Sequence, residues 1–118
     1  MLDANILIPP IVKDIIPLER QYPDKVAAFP LCILTPIDSG SGIVISGEER
    51  ITPLTFQIDV YDTSYQRCEE TAHEIVLRLV KRGFTRVPGQ IIKEKGLYRH
   101  VLSFSAQVDE QHGFVYRR

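Results

Sequence analysis

Cysteine is scarce in this chain, and long runs of basic or apolar residues are missing. The two cysteines, Cys32 and Cys68, fall inside apolar patterns, which favours buried free thiols in a reducing compartment over a disulfide. No run of Lys or Arg exceeds two residues and the formal net charge is −1, which argues against a dedicated nucleic-acid binder. The apolar runs are too short to span a bilayer, and residues 1–5 lack the basic region of a signal peptide. We therefore expect a soluble protein.

The length and the composition indicate a single globular domain. Hydrophobic residues make up 44% of the chain and charged residues 25%, a balance that argues against wholesale disorder. A chain of this size buries roughly two-thirds of its unfolded surface, so it needs neither a disulfide nor a metal to fold. We predict one domain over residues 1–118, with a flexible loop at 38–50 and a C-terminal tail at 109–118.

The segment from Leu54 to Gly83 is the most informative part of the sequence. Apolar and polar residues alternate over 54–61, which predicts a strand with one buried face. The apolar set is Leu54, Phe56, Ile58 and Val60, and the polar set is Thr55, Gln57, Asp59 and Tyr61. An amphipathic helix is predicted over 64–82, with Ser64 or Thr63 accepting from its first free N–H groups. The spacing Thr63-x-x-Gln66 would fit a capping box, and Gly83 suits the left-handed position after the helix end.

The residues before this segment predict a short helix and a strand. Pro10 suits the first turn of a helix within residues 2–19, and Pro17 is expected to end or bend that helix. Residues 29–34 are apolar on both faces, as in a covered strand that stops before Pro36. The stretch 36–53 is expected to be a long loop or a distorted hairpin arm, with a strand resuming at Ile43–Ile45 and a polar interruption at 47–50.

The residues after the helix predict a hairpin. The sequence Val87-Pro88-Gly89-Gln90 fits a type II turn, and Glu94-Lys95-Gly96 connects two strands. Leu102, Phe104, Ala106 and Val108 of the last strand are expected to face the core, with Tyr98 and His100 continuing that register. The element order predicts an α+β fold: a mostly antiparallel sheet of four to five strands with two helices on one face.

Groups with catalytic or ligand-binding potential are few and scattered. Cys68 and His73 are five residues apart on the predicted helix, and no second pair has metal-ligand spacing, so no metal site is predicted. Asp59 would orient His100 only in one strand register, and no serine or cysteine is in an obvious nucleophile position. The glycines at 40 and 42 open no helix and lack the Lys-Ser/Thr ending of a phosphate loop. We therefore assign no catalytic or cofactor-binding residue and expect a protein that is not an enzyme.

Several stretches together have the pattern of a known family. They are Phe56–Asp62 (FQIDVYD) with Thr63-Ser64, Glu69-Glu70-Thr71-Ala72, Gly83-Phe84, Leu97–Phe104 (LYRHVLSF), Tyr22-Pro23 and Phe29-Pro30-Leu31. In these stretches, which span nearly the whole chain, the sequence resembles the small tail-completion proteins of long-tailed bacteriophages. That family includes tail terminators and tail-to-head joining proteins. The proline-rich N-terminus departs from the family's plain first helix.

The resemblance implies a structural subunit of a virion. It implies a ring, typically a hexamer, that ends the tail tube and joins it to the head connector, assembled in the host bacterial cytoplasm. The implied partners are further copies of the chain, the tail tube protein and a head-connector or stopper protein, with no cofactor and no membrane. DNA would pass through the lumen without specific binding, and the near-neutral charge suits such a lumen because retained phosphate contacts would slow ejection.

Ring closure requires two different complementary surfaces on each subunit. The subunit and partner contacts are expected on the polar strand face and in the long loop: Thr55, Gln57, Asp59, Tyr61, Glu48, Glu49, Arg50 and Arg99. Two alternatives remain open. One is a small oligomeric ligand-binding or regulatory α+β module, and the other is a hydrolase-like enzyme that uses Asp59 and His100.

Overall fold

The computed structural model of the chain describes residues 8–24, 28–38, 43–45, 49–109 and 114–115. Its elements in chain order are α1 (Pro9–Val12), β1 (Leu18–Glu19), β2 (Leu31–Asp38), β3 (Ile43–Ile45), β4 (Glu49–Asp62), α2 (Tyr65–Lys81), β5 (Thr85–Glu94), β6 (Leu97–Asp109) and β7 (Phe114–Val115). The predicted α+β class is confirmed, because two helices accompany one mostly antiparallel sheet.

The sheet is built around the long central pair β4 and β6. The strand order on its main path is β1-β2-β4-β6-β5, while β3 extends the sheet beside β4 and β7 extends it beside β6. The β4–β6 ladder runs from Ile51 opposite Asp109 to Asp62 opposite Tyr98. Among the described strands only β1 and β2 pair in parallel. The five strands of the main path match the predicted number, and the short β3 and β7 add to them.

The apolar face of β4 forms the centre of the core. The alternating set predicted from the sequence is buried, since Leu54 is 4% exposed and Phe56, Ile58 and Val60 are fully buried. Phe56 stacks on Phe104 of β6 with ring centroids 5.4 Å apart. Each buried side chain of this size contributes about 1.5–3 kcal/mol through removal of apolar surface from water. The predicted inward register of both strands is confirmed.

Helix α2 covers this face with a stripe of buried residues, namely Cys68, Ala72, Ile75 and Leu79. It begins after Ser64, whose hydroxyl accepts a hydrogen bond from the Arg67 N–H at 3.4 Å. Of the two predicted caps, Ser64 is confirmed, while the Thr63-x-x-Gln66 capping box is wrong because Gln66 donates to Glu70 instead. A side-chain hydroxyl one residue later in the turn is better placed to reach the first free N–H groups.

The C-terminus of α2 ends as the sequence predicts. Gly83 has a φ of 99°, a conformation that glycine adopts without the Cβ penalty. The Gly83 N–H donates to the Val80 carbonyl at 3.0 Å and the Phe84 N–H donates to the Leu79 carbonyl at 3.1 Å. This pair of bonds is the Schellman motif, which satisfies the last carbonyls and turns the chain into β5.

The first described helix is shorter than predicted and begins at Pro9, one residue before the expected first position at Pro10. Pro9 and Pro10 occupy its first two positions, where a missing N–H costs nothing, and the helix ends at Val12. The predicted span of 2–19 and the stop at Pro17 are therefore wrong, although residues 1–7 lie outside the described part. A turn then leads to the two-residue strand β1.

An arginine fork ties α1 to α2. Arg78 donates from Nη1 to Asp14 Oδ1 at 2.7 Å and from Nη2 to Asp14 Oδ2 at 2.9 Å, and it also reaches the Ile11 carbonyl at 3.2 Å. The i,i+4 spacing on α2 also suits a pair between Glu74 and Arg78. Arg78 instead donates to both oxygens of the Asp14 carboxylate. Two parallel charge-assisted hydrogen bonds are stronger than one exposed contact within a helix.

Proline and glycine mark irregular strands rather than strand ends. Strand β2 continues through Pro36 to Asp38, so the predicted stop before Pro36 is wrong. Proline is tolerated there because β1 pairs only with Cys32 and Ile33 and leaves the rest of β2 at an open edge. The register of β2 against β4 shifts between Pro36 and Asp38.

The predicted type II turn at Val87–Gln90 is also wrong. These residues lie within β5, and the register of β5 against β6 shifts between Val87 and Gln90. A Cβ atom at Gly89 would lie 1.9 Å from the Val101 carbonyl oxygen, so glycine allows the two backbones to approach. Proline and glycine serve turns and bulges alike, and long-range pairing decides between them.

The predicted hairpin turn is confirmed: its two central residues, Lys95 and Gly96, come directly before β6. Lys95 has a φ of 49° and Gly96 a φ of 79°, the pair of positive values that a tight two-residue hairpin requires.

The predicted flexible segments are partly strands. Residues 43–45 pair with 49–51 of β4, which confirms the predicted strand at Ile43–Ile45 and the hairpin-arm alternative for 36–53. The polar interruption predicted at 47–50 is wrong at Glu49 and Arg50, which belong to β4, and these strands also fall within the predicted flexible loop at 38–50. Within the predicted tail, Phe114 and Val115 pair with the end of β6. The other residues of both segments, 39–42, 46–48, 110–113 and 116–118, lie outside the described part of the chain.

Candidate functional site

The polar face of β4 carries a connected network of side chains. Gln57 donates from Nε2 to both oxygens of Asp59 at 3.1 Å, and Arg99 of β6 donates from Nη2 to Asp59 Oδ2 at 3.2 Å. The Arg99 guanidinium lies over the Tyr61 ring, 5.7 Å from its centroid. The rings of Tyr61 and Tyr22 pack in a T-shaped arrangement with their centroids 5.2 Å apart. The network thus runs from β4 to β6 and to the segment after β1.

This network changes the reading of the predicted contact residues. Asp59 is 4% exposed, and its carboxylate is engaged by Gln57 and Arg99 inside the subunit. The alternation correctly placed Asp59 on the face opposite the core, but that face is itself covered, since Leu31 and Ile33 of β2 are buried there. Its burial and internal bonds argue against a direct contact between Asp59 and a partner, and that contact stays a prediction.

The other predicted contacts remain predictions. Thr55, Gln57 and Tyr61 are half-buried on the same face as Asp59. The Arg99 side chain is 39% exposed. Glu49 and Arg50 lie in β4, opposite Ile45 and Val44 of β3, and Glu48 lies outside the described residues.

The structure does not bring Asp59 and His100 together. In the β4–β6 ladder Asp59 lies opposite Val101, whereas His100 lies opposite Val60. Successive residues of a strand point to opposite faces, so Asp59 is on the outer face and His100 is on the core face. The hydrolase-like pair considered from the sequence is not formed.

A small cavity lies between α2 and the edge strand β5. Its volume is about 80 Å³, and it is lined by Glu69, Ala72, His73, Val76, Arg86 and His100. His100 is 8% exposed, and its Nδ1 atom lies 3.2 Å from Glu69 Oε1 without a hydrogen bond of good geometry. Neither His73 nor Arg86 makes a hydrogen bond or ion pair with another described residue.

The electrostatics of the cavity favour a neutral imidazole. Burial lowers the pKa of His100, the Arg86 charge lowers it further, and the Glu69 carboxylate opposes both. A neutral His100 offers one donor and one acceptor to whatever enters the cavity. The sequence placed His100 on the inward register, but Glu69 and Arg86 were missed. Glu69 and His73 are four residues apart on one helix face, which is the signal that was present.

Both cysteines are buried free thiols, as the sequence predicts. Cys68 donates from Sγ to the Val60 carbonyl at 3.4 Å. Burial raises the pKa of the Cys68 thiol, and it raises the pKa of Cys32 to about 12, with a smaller contribution from Cys68. Thiols in this state are poor nucleophiles because the thiolate is the reactive form.

One further buried polar residue escaped the sequence reasoning. Asp62 is fully buried, and its Oδ1 accepts from the Ser64 N–H at 3.1 Å and from Arg67 Nη2 at 3.0 Å. These bonds fix the end of β4 to the start of α2. The Asp-x-Ser spacing just before the helix was the available signal.

The described strands leave two edges of the sheet open at the same height. Strand β1 covers β2 only at Cys32 and Ile33, and no described strand covers the far side of β5. The open edges carry two large exposed apolar side chains, Ile37 at 56% and Val87 at 43%.

Two searches of the described chain concern metals and membranes. Within the described ranges, no group of three His, Cys, Asp or Glu residues is arranged to hold a metal ion. None of the described helices combines the length and the apolar character needed to cross a membrane.

Comparison with known proteins adds no family. No protein-family model matches the chain, and no curated protein matches it either. The functional proposal therefore depends on the geometry above and on the resemblance in the sequence.

Proposed function

We propose that the chain is a non-enzymatic structural subunit of a bacteriophage or prophage tail. Copies of it assemble into a ring that ends the tail tube and joins it to the head connector. The observation that supports this most is the single sheet with two different open edges. A closed ring needs two different surfaces on each subunit, and unpaired strand edges are ready-made pairing surfaces.

The chemistry of the described side chains also supports a structural role. Asp59 and His100 lie on opposite faces, and both thiols are buried. The polar network around Asp59 is bonded within the subunit and stiffens the outer face of the sheet. A net charge of −1 lets DNA pass a lumen without the phosphate contacts that basic surfaces make.

The direct experiment is assembly in solution and on tail tubes. The purified protein is examined by light scattering for mass and by negative-stain electron microscopy for rings, alone and with tail tubes that lack their terminator. We expect rings, hexameric by resemblance, or a monomer that assembles only on tube ends and stops their growth. A protein that neither forms rings nor binds tube ends would refute the proposal.

A ligand-binding module is the second candidate, favoured by the cavity beside His100. Its volume of about 80 Å³ suits an ion or one small polar group. Sites for larger organic ligands usually enclose roughly 300–1,000 Å³. Titration with acetate or phosphate, followed by the imidazole resonances of His100, tests this candidate. Saturable shifts that Arg86→Gln abolishes would support it, and unchanged spectra would exclude these ions.

A further inference from the structure

We infer that neighbouring subunits join edge to edge. The start of β5 in one copy, Thr85–Val87, pairs antiparallel with the open part of β2, residues 34–38, in a second copy. This inference rests on the proposed ring and identifies the two surfaces that close it. In this pairing Val87 lies opposite Thr35 of the second copy, and Ile37 lies diagonally across from Val87.

The two edges lie at the same height of the sheet. Arg86 of β5 pairs with Phe104 of β6, and Phe104 pairs with Phe56 of β4. Phe56 pairs in turn with Pro36 of β2, so Pro36 and Arg86 belong to one row across the sheet. Another copy placed beside β5 at the same height therefore presents the open part of β2 to Thr85–Val87.

The strand directions also match. Strand β2 is antiparallel to β4, β4 is antiparallel to β6, and β6 is antiparallel to β5. β5 and β2 therefore run in opposite directions within one subunit. A second copy with the same face inward continues the sheet with an antiparallel pair, which is also the commoner kind of strand pairing.

The side chains on the two edges suit each other. Ile37 is 56% exposed and Val87 is 43% exposed, and both are apolar residues that a single subunit leaves in water. Ile37 is the diagonal neighbour of Val87 in this register, so the pairing removes apolar surface from water at both edges.

The same edges limit how far the pairing extends. Pro88 and the bulge at Gly89 interrupt β5 directly after Val87, and Pro36 lacks an N–H within β2. Prolines and bulges are the usual means by which edge strands avoid open-ended aggregation. A short ladder of this kind favours a closed assembly over fibres.

Lysine substitutions test the surface by placing a charge on each edge. Val87→Lys and Ile37→Lys are each expected to weaken self-association by roughly tenfold or more, measured by sedimentation equilibrium, because burying a charge at such a contact is unfavourable. Leu77→Lys is the matched control, since Leu77 is 53% exposed on α2 away from both edges. Circular dichroism and continued protection of Cys32 and Cys68 from thiol reagents show that each variant is folded.

A cross-linking pair tests proximity directly. A chain with both Thr35→Cys and Val87→Cys, the two residues that this register places opposite each other, is oxidised with copper phenanthroline and run on a non-reducing gel. We expect a ladder of oligomers that dithiothreitol removes, and no ladder from the control pair Leu77→Cys and Val87→Cys. The native thiols give little background because both are fully buried.

The outcomes separate this inference from the proposed function. Rings that form equally well with Val87→Lys and Ile37→Lys, and without the cross-link, would overturn the inference and leave the tail role standing. Oligomers that depend on both edges but fail to cap tail tubes would refute the tail role and leave the inference standing. A chain that stays monomeric at every concentration, without the cross-link, would overturn the inference.

Discussion

The two faces of β4 bury their residues by different physical means. On the inner face, Phe56 is buried against the rings of Phe104 and Phe84. On the outer face, Asp59 is buried to nearly the same degree, at 4% exposure, by bonds to Gln57 and Arg99. Packing tolerates many apolar neighbours, whereas a buried carboxylate depends on particular partners. Burying Phe56 thus requires only apolar neighbours of suitable size, whereas burying Asp59 requires specific hydrogen-bond donors.

Removing the ring at the inner face should have the largest effect. Phe56→Ala leaves a cavity beside the rings of Phe84 and Phe104 and is expected to lower the free energy of unfolding by about 3–5 kcal/mol. Urea denaturation measures this change. Thr55→Ala, one residue away on the outer face, is the control and should stay within about 1 kcal/mol. Similar losses for both variants would contradict the difference between the faces.

Removing the carboxylate at the outer face should have an intermediate effect. Asp59→Ala leaves Arg99 and Gln57 without their acceptor and is expected to cost about 1–3 kcal/mol. A double-mutant cycle with Arg99→Ala isolates the pair, and we expect a coupling of at least about 0.5 kcal/mol. Strictly additive losses would show that the contact does not contribute to stability.

The inner face also contains a titratable group, His100, and its effect on stability should become measurable in acid. Burial holds the pKa of His100 below its ordinary value of 6.5, so the unfolded chain binds the proton more readily than the folded one. Stability is therefore fully present above about pH 6.5 and falls as the pH drops below it towards the lowered pKa. His100→Gln should remove this dependence in denaturation curves between pH 7 and 5. An unchanged slope in that variant would assign the effect to another group.

An exposed pair of the same residue types should have the smallest effect. Asp14 and Arg78 form a fork at 2.7 and 2.9 Å, but the Asp14 side chain is 61% exposed. Water and salt screen such a pair, so Asp14→Asn is expected to change stability less than any substitution above. The bond to Arg78 lowers the pKa of Asp14, so this contribution disappears only in acid well below the window of His100. A loss as large as that of Asp59→Ala would show that burial does not decide the strength of these pairs.

Local patterns predicted the parts of the fold that are set by local chemistry. The alternation over 54–61, the helix stop at Gly83 and the turn at Lys95-Gly96 all depend on period, φ and neighbouring residues, and all three are confirmed. Long-range partners decided the rest. The i,i+4 spacing offers Glu74 to Arg78, but the fold brings Asp14 within reach from the turn after α1. Proline at 88 and glycine at 89 suit a turn by their local chemistry. They lie within a strand because β5 pairs with β6 on both sides of them.

The candidate site was predictable only in part for the same reason. Period two placed Asp59 on the polar face and His100 on the core face. The pattern within β4 does not show that β6 supplies Arg99 to Asp59. The pattern within β6 likewise does not show that α2 supplies Glu69 to His100. Burial of a polar residue depends on what covers it, and the covering segments are far away in the chain.

The close approach at Gly89 has a consequence for how this chain tolerates mutation. A Cβ atom there would meet the Val101 carbonyl oxygen at 1.9 Å, whereas a Cβ atom at Gly96 would meet nothing within 4 Å. In a library of all single substitutions, codon 89 should therefore accept no replacement, while codon 96 should accept asparagine or aspartate. Diverged copies of this gene are expected to keep glycine at 89 while the rest of the edge drifts.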